Sequence, residues 1–540
     1  MCGFLGSNNL CEPLDRPIPS QALMRRGPDG VGTRVFANAS VVHTLLSLQG
    51  SSPCHQPVLS ERGELLAWNG EIYNFRELST LKDETRESDT DYLVSLESIG
   101  NSIQKLRGMY AISVSGALDT QLFRDQLGVK PLYYALSGDA VFFGSIAKDV
   151  ANLAFKGQAS LNWLSIYQWT RFRRPLGGQS FYDGVQSLPP GHKGTFSLST
   201  QSLKIEPTLY ADPLEHQLSL EALLTDAVRE QSVSNSDCAY LLSGGLDSSL
   251  LASIAADGEE SIESFSISIP DSGSDESYWA DYASRLIGTR HTTIPLRRME
   301  FISEHQRLVD LYGEPCLVPN EVALSILSRK INQSHRCVIS GEGADEVFGG
   351  YTELAMLPIT QKFQTQTTNQ NATKFLSRYQ YLSHAEASKV LSPYLSSSEL
   401  DSFGELSDQN FLESAAGLQT PDDALAWLQK NHLPTLLSRL DKSTMSNSLE
   451  ARVPFLDQRL VRLANQTIWQ EKLKWESPKF EGKHLLKAIA RKRFPKEFID
   501  RPKVSFPIPA SFYDDKGHNS MPDYPSWVEF NLKSLTGTKR

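Results

Sequence analysis

Leu241-Leu242-Ser243-Gly244-Gly245-Leu246-Asp247-Ser248-Ser249 is the stretch that decides how this chain reads. Apolar residues lead into it from Ala239, as in a buried strand, and a helical pattern follows it. Between the two stand Ser and Gly, small enough for backbone N–H groups to approach phosphate oxygens, with a helix N-terminus to complete an anion site. No Gly-Lys-Ser/Thr follows, so this is not a Walker loop. The hydroxyls of Ser243, Ser248 and Ser249 can donate to pyrophosphate, and the Asp247 carboxylate can hold magnesium against it, since hard cations prefer oxygen ligands. The bland alternative is a Ser/Gly turn of no special function; the whole string on a strand, turn and helix makes it the poorer account.

Working outward, a helix over 218–230 is expected to precede the loop strand at 239–242, and further strands are expected at 261–269 and 337–340, alternating with helices. That alternation predicts an α/β doubly wound parallel sheet. Residues 360–431 are polar and helix-prone, which predicts a helical addition, and 364–373 are biased toward Thr, Gln and Asn. Before the Pro-containing stretch at 207–213 the grammar differs. Short β-rich runs at 65–68, 110–114 and 140–143 are punctuated by Gly, Pro and Asn, which predicts stacked antiparallel sheets. The clearest helical stretch there is 89–99, with Gly100 to end it. The expected architecture is therefore two-domain, α+β followed by α/β, with boundaries at 2–205 and 214–540.

Bulk properties narrow the function. A chain of 540 residues with 40% hydrophobic and 21% charged residues exceeds one ordinary core. A net charge of -10 opposes general binding to nucleic acid, and the run Arg491-Lys492-Arg493 is too short to reverse that. Cys2, Cys11, Cys54, Cys238, Cys316 and Cys337 include no C-x-x-C pair, which points to a reducing, cytoplasmic setting. No stretch approaches the ~20 apolar residues that span a bilayer, and the start lacks a signal-peptide pattern. No membrane partner is expected.

Cys2 becomes the first residue once the initiator methionine is removed. Its thiol then lies within reach of its own α-amino group, with an ordinary pKa of about 7.7 to 8.0, which can serve as general base. Alone this is weak; its company is Arg26-Gly27-Pro28-Asp29, Cys54-His55-Gln56-Pro57 and Asn69-Gly70-Glu71-Ile72-Tyr73-Asn74. In order and spacing these resemble the class II glutamine amidotransferases over about the first two hundred residues. The resemblance implies an αββα N-terminal-nucleophile hydrolase sandwich in which Asn69 (side chain) and Gly70 (backbone N–H) form an oxyanion hole, donors aimed at developing charge. Asn-Gly read alone is a hairpin turn. Glu71 belongs to the implied glutamine site, as does Asp89, which would bind the α-ammonium; the plain reading of Ser88-Asp89-Thr90 is a helix N-cap. One departure stands out. The family's H-x-R-L-S-I segment supplies an arginine for the glutamine α-carboxylate, and this chain has His43-Thr44-Leu45-Leu46-Ser47-Leu48. Arg25, Arg26 or a shifted backbone would have to compensate.

The second half resembles asparagine synthase throughout, and S-G-G-L-D-S-S resembles the loop of ATP pyrophosphatases that make acyl adenylates. Ser340-Gly341-Glu342-Gly343-Ala344-Asp345-Glu346-Val347-Phe348-Gly349-Gly350-Tyr351 is close to the family's most characteristic string. The resemblance implies an ATP and pyrophosphate site of Leu242, Ser243, Gly244, Gly245, Asp247, Ser248, Ser249, Ile267, Ser340, Gly341 and Lys483, with Leu242 and Ile267 contributing backbone. It further implies that Glu342 assists adenylate and amide chemistry, that Lys483 contacts the α-phosphate and departing pyrophosphate, and that Asp247 and Asp345 share Mg2+. Asp275-Glu276 falls where the family has a D-E pair read as supporting the fold, and 441–445 and 449–457 match family strings that wall the site, many of their residues structural, with Lys442 in place of an arginine. Arg501-Pro502-Lys503 resembles the closing basic pair, with Ser505 in place of glycine and Lys487 in place of arginine. The implied reaction is glutamine- and ATP-dependent amidation of a small carboxylate, aspartate by family frequency. Relatives that amidate sugars, antibiotics or peptide precursors, or that use free ammonia, supply the alternatives; family analogy adds a homodimer.

Overall fold

A computed structural model describes residues 2–9, 17–48, 56–80, 86–208, 210, 218–234, 237–258, 261–270, 275, 277–359, 368–476, 479–501, 508–514 and 523–537. Cys11, Cys54, His55, Glu276, Pro502, Lys503, Ser505 and 364–367 lie outside these residues.

The first half contains two six-stranded sheets. One runs Val185–Ser187, Tyr133–Ser137, Ala140–Gly144, Cys2–Asn9, Ala39–Leu45, Gly30–Phe36. The other runs Ser202–Pro207, His192–Ser197, Asp119–Arg124, Gly108–Ser115, Leu65–Ile72, Val58–Leu59. Every pairing in both is antiparallel. Strand alternation sends Phe4, Val41 and Phe143 from one sheet against Leu65, Ala111 and Leu122 of the other. The opposite face of the second sheet presents Leu66, Trp68 and Ile112 to Phe75, Leu78 and Leu93 on short helices. Helix Ala147–Ala154 covers the first sheet, so the layers run helix, sheet, sheet, helix.

The expected strands are present with longer reach: 65–68 extends to Leu65–Ile72 and 110–114 to Gly108–Ser115. The expected helix over 89–99 is instead two, Asp89–Val94 and Ile99–Ser102, each begun by a serine oxygen capping it, Ser88 and Ser98. Gly100 lies within the second rather than ending the first. A second cap inside an acid-led run splits it, because serine side chains compete with backbone for the freed N–H groups.

The second half is built on a five-stranded sheet ordered Arg290–Pro295, Glu263–Ser268, Cys238–Leu241, Cys337–Ile339, Glu450–Arg452, with all pairings parallel. Chain order reverses between Cys238–Leu241 and Cys337–Ile339, the doubly wound switch point where α/β sheets bind ligands at their carboxyl ends. The helical addition runs from Thr352–Met356 through Thr368–Tyr379, His384–Leu391, Ser397–Ser414 and Pro421–Trp427 into Leu433–Met445. Its core of Phe375, Tyr379, Phe411 and Trp427 also takes in Phe172 and Leu176 from the first half.

Cysteine spacing failed as a guide to pairing. Cys238 and Cys337, 99 residues apart, are register partners on adjacent strands and their sulfurs are joined. Parallel pairing brings together positions that no short-spacing rule detects. Among the described residues no helix is long and apolar enough to cross a membrane.

Candidate active sites

Cys2 opens the central strand of the first sheet and is buried, with Leu45 as its register partner. Its backbone N–H donates to Asn69 Oδ1 at 3.3 Å, and its carbonyl accepts from Arg26 Nε at 3.2 Å. Asn69 comes from the facing sheet and is fully buried; its Nδ2 has no hydrogen-bond partner among the described residues. A buried amide donor without a partner costs about 1–3 kcal/mol. Asn69 and Gly70 are mid-strand in Leu65–Ile72, which removes the hairpin reading. Gly70 has φ +150°, and a Cβ there would sit 2.0 Å from the Met109 carbonyl oxygen, so the position excludes any side chain. Burial pushes the Cys2 thiol up, against the pull of the N-terminal charge and an N–H from Leu46.

Glu71 and Asp89 reach the same region. Asp89 Oδ2 accepts from the Ile72 N–H at 3.2 Å, while Ser88 caps the helix, so the capping and site readings both hold. Burial raises the Asp89 carboxyl to about 6. Burial, then repulsion from Glu450 and Asp89, raises Glu71 to about 8. Of the two arginines expected to compensate for Leu45, Arg25 is exposed, and the buried Arg26 gives Nη1 and Nη2 to Asp441 at 2.6 and 3.1 Å. Asp441 belongs to the other half, so this bidentate pair ties the two halves together. Arg452 does likewise, holding Glu450 at 2.6 Å and lying 3.8 Å from Glu71.

At the switch point, Gly245 caps helix Leu246–Ala256. Gly244 adopts φ +73°, where a Cβ would meet the Trp279 backbone at 2.3 Å. The Ser243 backbone N–H donates to Ser248 Oγ at 3.2 Å, and Ser243 Oγ accepts from the Gly245 N–H at 3.2 Å. Ser249 Oγ, fully buried, has no partner among the described residues. Just past the neighbouring strand Cys337–Ile339, Gly341 lies so close to the loop that a Cβ there would sit 3.1 Å from Asp247 and from the Ser248 nitrogen. Lys483 then joins the two loops, with Nζ at 2.6 Å from Asp247 and 2.7 Å from Asp345. Burial works against its charge, yet the two carboxylates hold it above the ordinary lysine value. Glu342 pairs with Arg439 at 2.5 Å. Next to these groups is a cavity of about 250 Å³ lined by Leu242, Ser243, Phe265, Ile267, Ser340 and Glu342.

The structure thus brings together Cys2, Asn69, Gly70, Glu71 and Asp89 in one place. It brings the Ser243–Ser249 loop, Ser340, Gly341, Glu342, Asp345 and Lys483 together in another. Among the described residues no group of three or more His, Cys, Asp or Glu is placed to hold a metal; two carboxylates converging on one ammonium still offer oxygen donors to a cation whose other ligands are phosphates. Lys487 pairs with Glu481, and Lys442 with Glu314 at 2.9 Å. Arg439, Phe265 and the Arg26–Asp441 pair were missed from sequence. Arg439 stands two residues before the matched 441–445 string, and only its contact with Glu342 marks it.

One half thus holds a buried cysteine beside Asn69, Gly70 and two buried carboxyls, and the other a Ser/Gly loop with convergent charges at the switch point of a doubly wound sheet. Residues 1–207 match the glutamine amidotransferase domain and residues 219–520 match asparagine synthase. The chain belongs to the asparagine synthase family, and with that it is a glutamine-dependent carbon–nitrogen ligase that uses ATP as co-substrate. It is similar to asparagine synthetase [glutamine-hydrolyzing] 3 of Bacillus subtilis (strain 168), 26% identical over 585 residues that cover 100% of this chain and 90% of that one. Asparagine synthetase [glutamine-hydrolyzing] 1 of the same organism is 24% identical over 564 residues, 94% of this chain and 87% of that one. A protein of Mycobacterium bovis named as a putative asparagine synthetase [glutamine-hydrolyzing] is 26% identical, covering 91% and 83%.

Proposed function

We propose that this enzyme amidates a carboxylate, aspartate by default, through an acyl-AMP, with nitrogen released from glutamine at Cys2. The observation that carries the reading is Lys483 bridging Asp247 and Asp345 at the sheet's switch point, a few residues from Glu342. In the first domain, assigned to 2–205 as an N-terminal-nucleophile hydrolase, the Cys2 α-amine takes the thiol proton and Sγ attacks the glutamine amide carbon. Asn69 Nδ2 and the Gly70 N–H donate to the oxyanion, and Asp89 with Glu71 holds the α-ammonium. Loss of ammonia leaves a thioester that water opens to glutamate.

In the second domain, assigned to 214–540, an acceptor carboxylate oxygen attacks the α-phosphorus and pyrophosphate leaves. Ser243, Ser248, Ser249 and the backbone of Gly244 and Gly245 donate to the pyrophosphate, Ser340 and Gly341 border the nucleotide, and Leu242 and Ile267 wall the adenine side. Lys483 neutralises charge on the leaving group. Asp247 and Asp345 would hold Mg2+, which when bound screens the phosphates. Ammonia then attacks the acyl carbon, with Glu342 placed to accept its proton, and AMP leaves. A weakened glutaminase is the second reading, favoured by Leu45 and by the commitment of Arg26 to Asp441.

The test supplies ATP, magnesium and aspartate with either glutamine or ammonium and follows pyrophosphate, AMP, glutamate and asparagine. Asparagine from both donors supports the first reading, and asparagine from ammonium alone the second. No aspartate-dependent pyrophosphate from either donor removes aspartate as the acceptor.

A further inference from the structure

A second, larger cavity of about 660 Å³ lies between the segment 174–192 of the first half and helix Leu433–Met445 of the second. It is separate from the nucleotide cavity. Thr435, Ser438 and Lys442 of this helix line it, while Arg439 and Leu440 of the same helix line the nucleotide cavity. None of the residues placed at the two sites above lines it.

Its charge is the opposite of the chain's. Against a net charge of -10, the wall carries Arg124, Arg174, Lys430 and Lys442, with Glu314 as its sole acidic side chain among the described residues. Lys442 and Glu314 satisfy each other at 2.9 Å. Arg124 is clamped by the Gly128, Lys130 and Leu188 carbonyls and by Ser187 Oγ. Arg174 is different. It is 9% exposed, reaches the Tyr379 phenol and lies 5.6 Å from the Trp427 ring centre, but it meets no carboxylate among the described residues and its Nε has no partner. A guanidinium this buried is costly unless an anion answers it, and its planar fork matches a carboxylate or a phosphate. The volume suits a small metabolite.

We propose that this interdomain cavity binds a small polyanion, a metabolite carrying two or more carboxylate or phosphate groups, with Arg174 as its principal anchor. Such a ligand touches Arg174 on one half and Thr435 and Lys442 on the other, so it also stabilises the junction between them.

The test uses the full chain without magnesium or nucleotide. Citrate and inorganic phosphate are titrated at constant ionic strength against sodium chloride, and melting temperature and tryptophan fluorescence are followed. A saturable rise in melting temperature beyond that in chloride is expected from one or both probes, which also separates carboxylate from phosphate recognition. Arg174→Gln should raise the half-saturating concentration by about tenfold or more, the loss of one charge-assisted contact. Glu314→Gln, which removes the cavity's carboxylate and releases Lys442, should lower it, a gain that a poorly folded variant cannot mimic. Lys483→Gln, on the nucleotide side, should leave it unchanged. No saturable rise in the wild type, a rise abolished by K483Q but not by R174Q, or weaker or unchanged binding in E314Q overturns the proposal.

Discussion

Replacing Asn69 with alanine separates catalysis from stability in a way the structure allows to be worked out beforehand. The side chain makes one contact as acceptor, from the Cys2 N–H at 3.3 Å, and its Nδ2 makes none among the described residues. A long backbone contact of this kind contributes about 1 kcal/mol, and deleting an orphaned buried donor offsets part of that. The net cost is therefore below about 1 kcal/mol, a fall of at most about 2–4 °C in melting temperature for a domain of this size. Loss of an oxyanion donor instead costs about 100- to 1,000-fold in kcat. Glutamate release from glutamine should therefore fall by that factor while ammonium-dependent pyrophosphate release stays within about twofold, because that chemistry lies in the other domain. Asn69→Asp keeps the acceptor, loses the donor and adds a charge beside Glu71 and Asp89, so it should be at least as inactive. A glutaminase rate within tenfold of wild type, or equal losses of both activities, refutes the oxyanion role.

Two further outcomes follow from the buried charges. Burial raises Asp89 to about 6 and Glu71 to about 8, both above the ordinary carboxylate range. Their ionisation therefore lowers stability as pH climbs from about 4 toward those values. Glutamine's ammonium relieves that penalty, so in Cys2→Ala the rise in melting temperature on adding glutamine should be larger at pH 8 than at pH 5; a rise that shrinks with pH refutes it. Arg26→Leu strands the Asp441 carboxylate, 4% exposed, at the domain junction and should cost about 3–5 kcal/mol by chemical denaturation, most of it recovered in R26L/D441L. A loss within 1 kcal/mol contradicts the assigned burial.

What could be read from sequence was what local chemistry dictates. Ser243 to Ser249 needs small residues after a strand, and those requirements lie within seven consecutive positions. Asn69-Gly70 needed its surroundings: alone it reads as a turn, and only pairing with Ala111 and Tyr110 makes it a mid-strand site. The 89–99 helix failed for a local reason, a second serine cap at Ser98. The Cys238–Cys337 bond, the Glu342–Arg439 pair and the Arg26–Asp441 bridge were illegible, because each joins positions 97 to 415 residues apart through tertiary packing with no periodic trace.

The last of these bears on how the two sites are held in register. Arg26 touches the Cys2 carbonyl with Nε and Asp441 with both terminal nitrogens. Two residues earlier on the same helix, Arg439 grips Glu342. One rigid helix of 13 residues therefore touches both centres through arginines. Buried ion pairs are poor sources of stability, and a well-packed apolar pair often replaces them at no net cost. The physical reason for such a pair is geometric: two parallel N–H···O bonds fix an orientation that an apolar contact leaves free. If that is its work, R26L/D441L regains most of the melting temperature and keeps both half-reactions measured separately, yet makes less product per glutamine hydrolysed than wild type. Product per glutamine equal to wild type in the double variant leaves the bridge with a packing role alone.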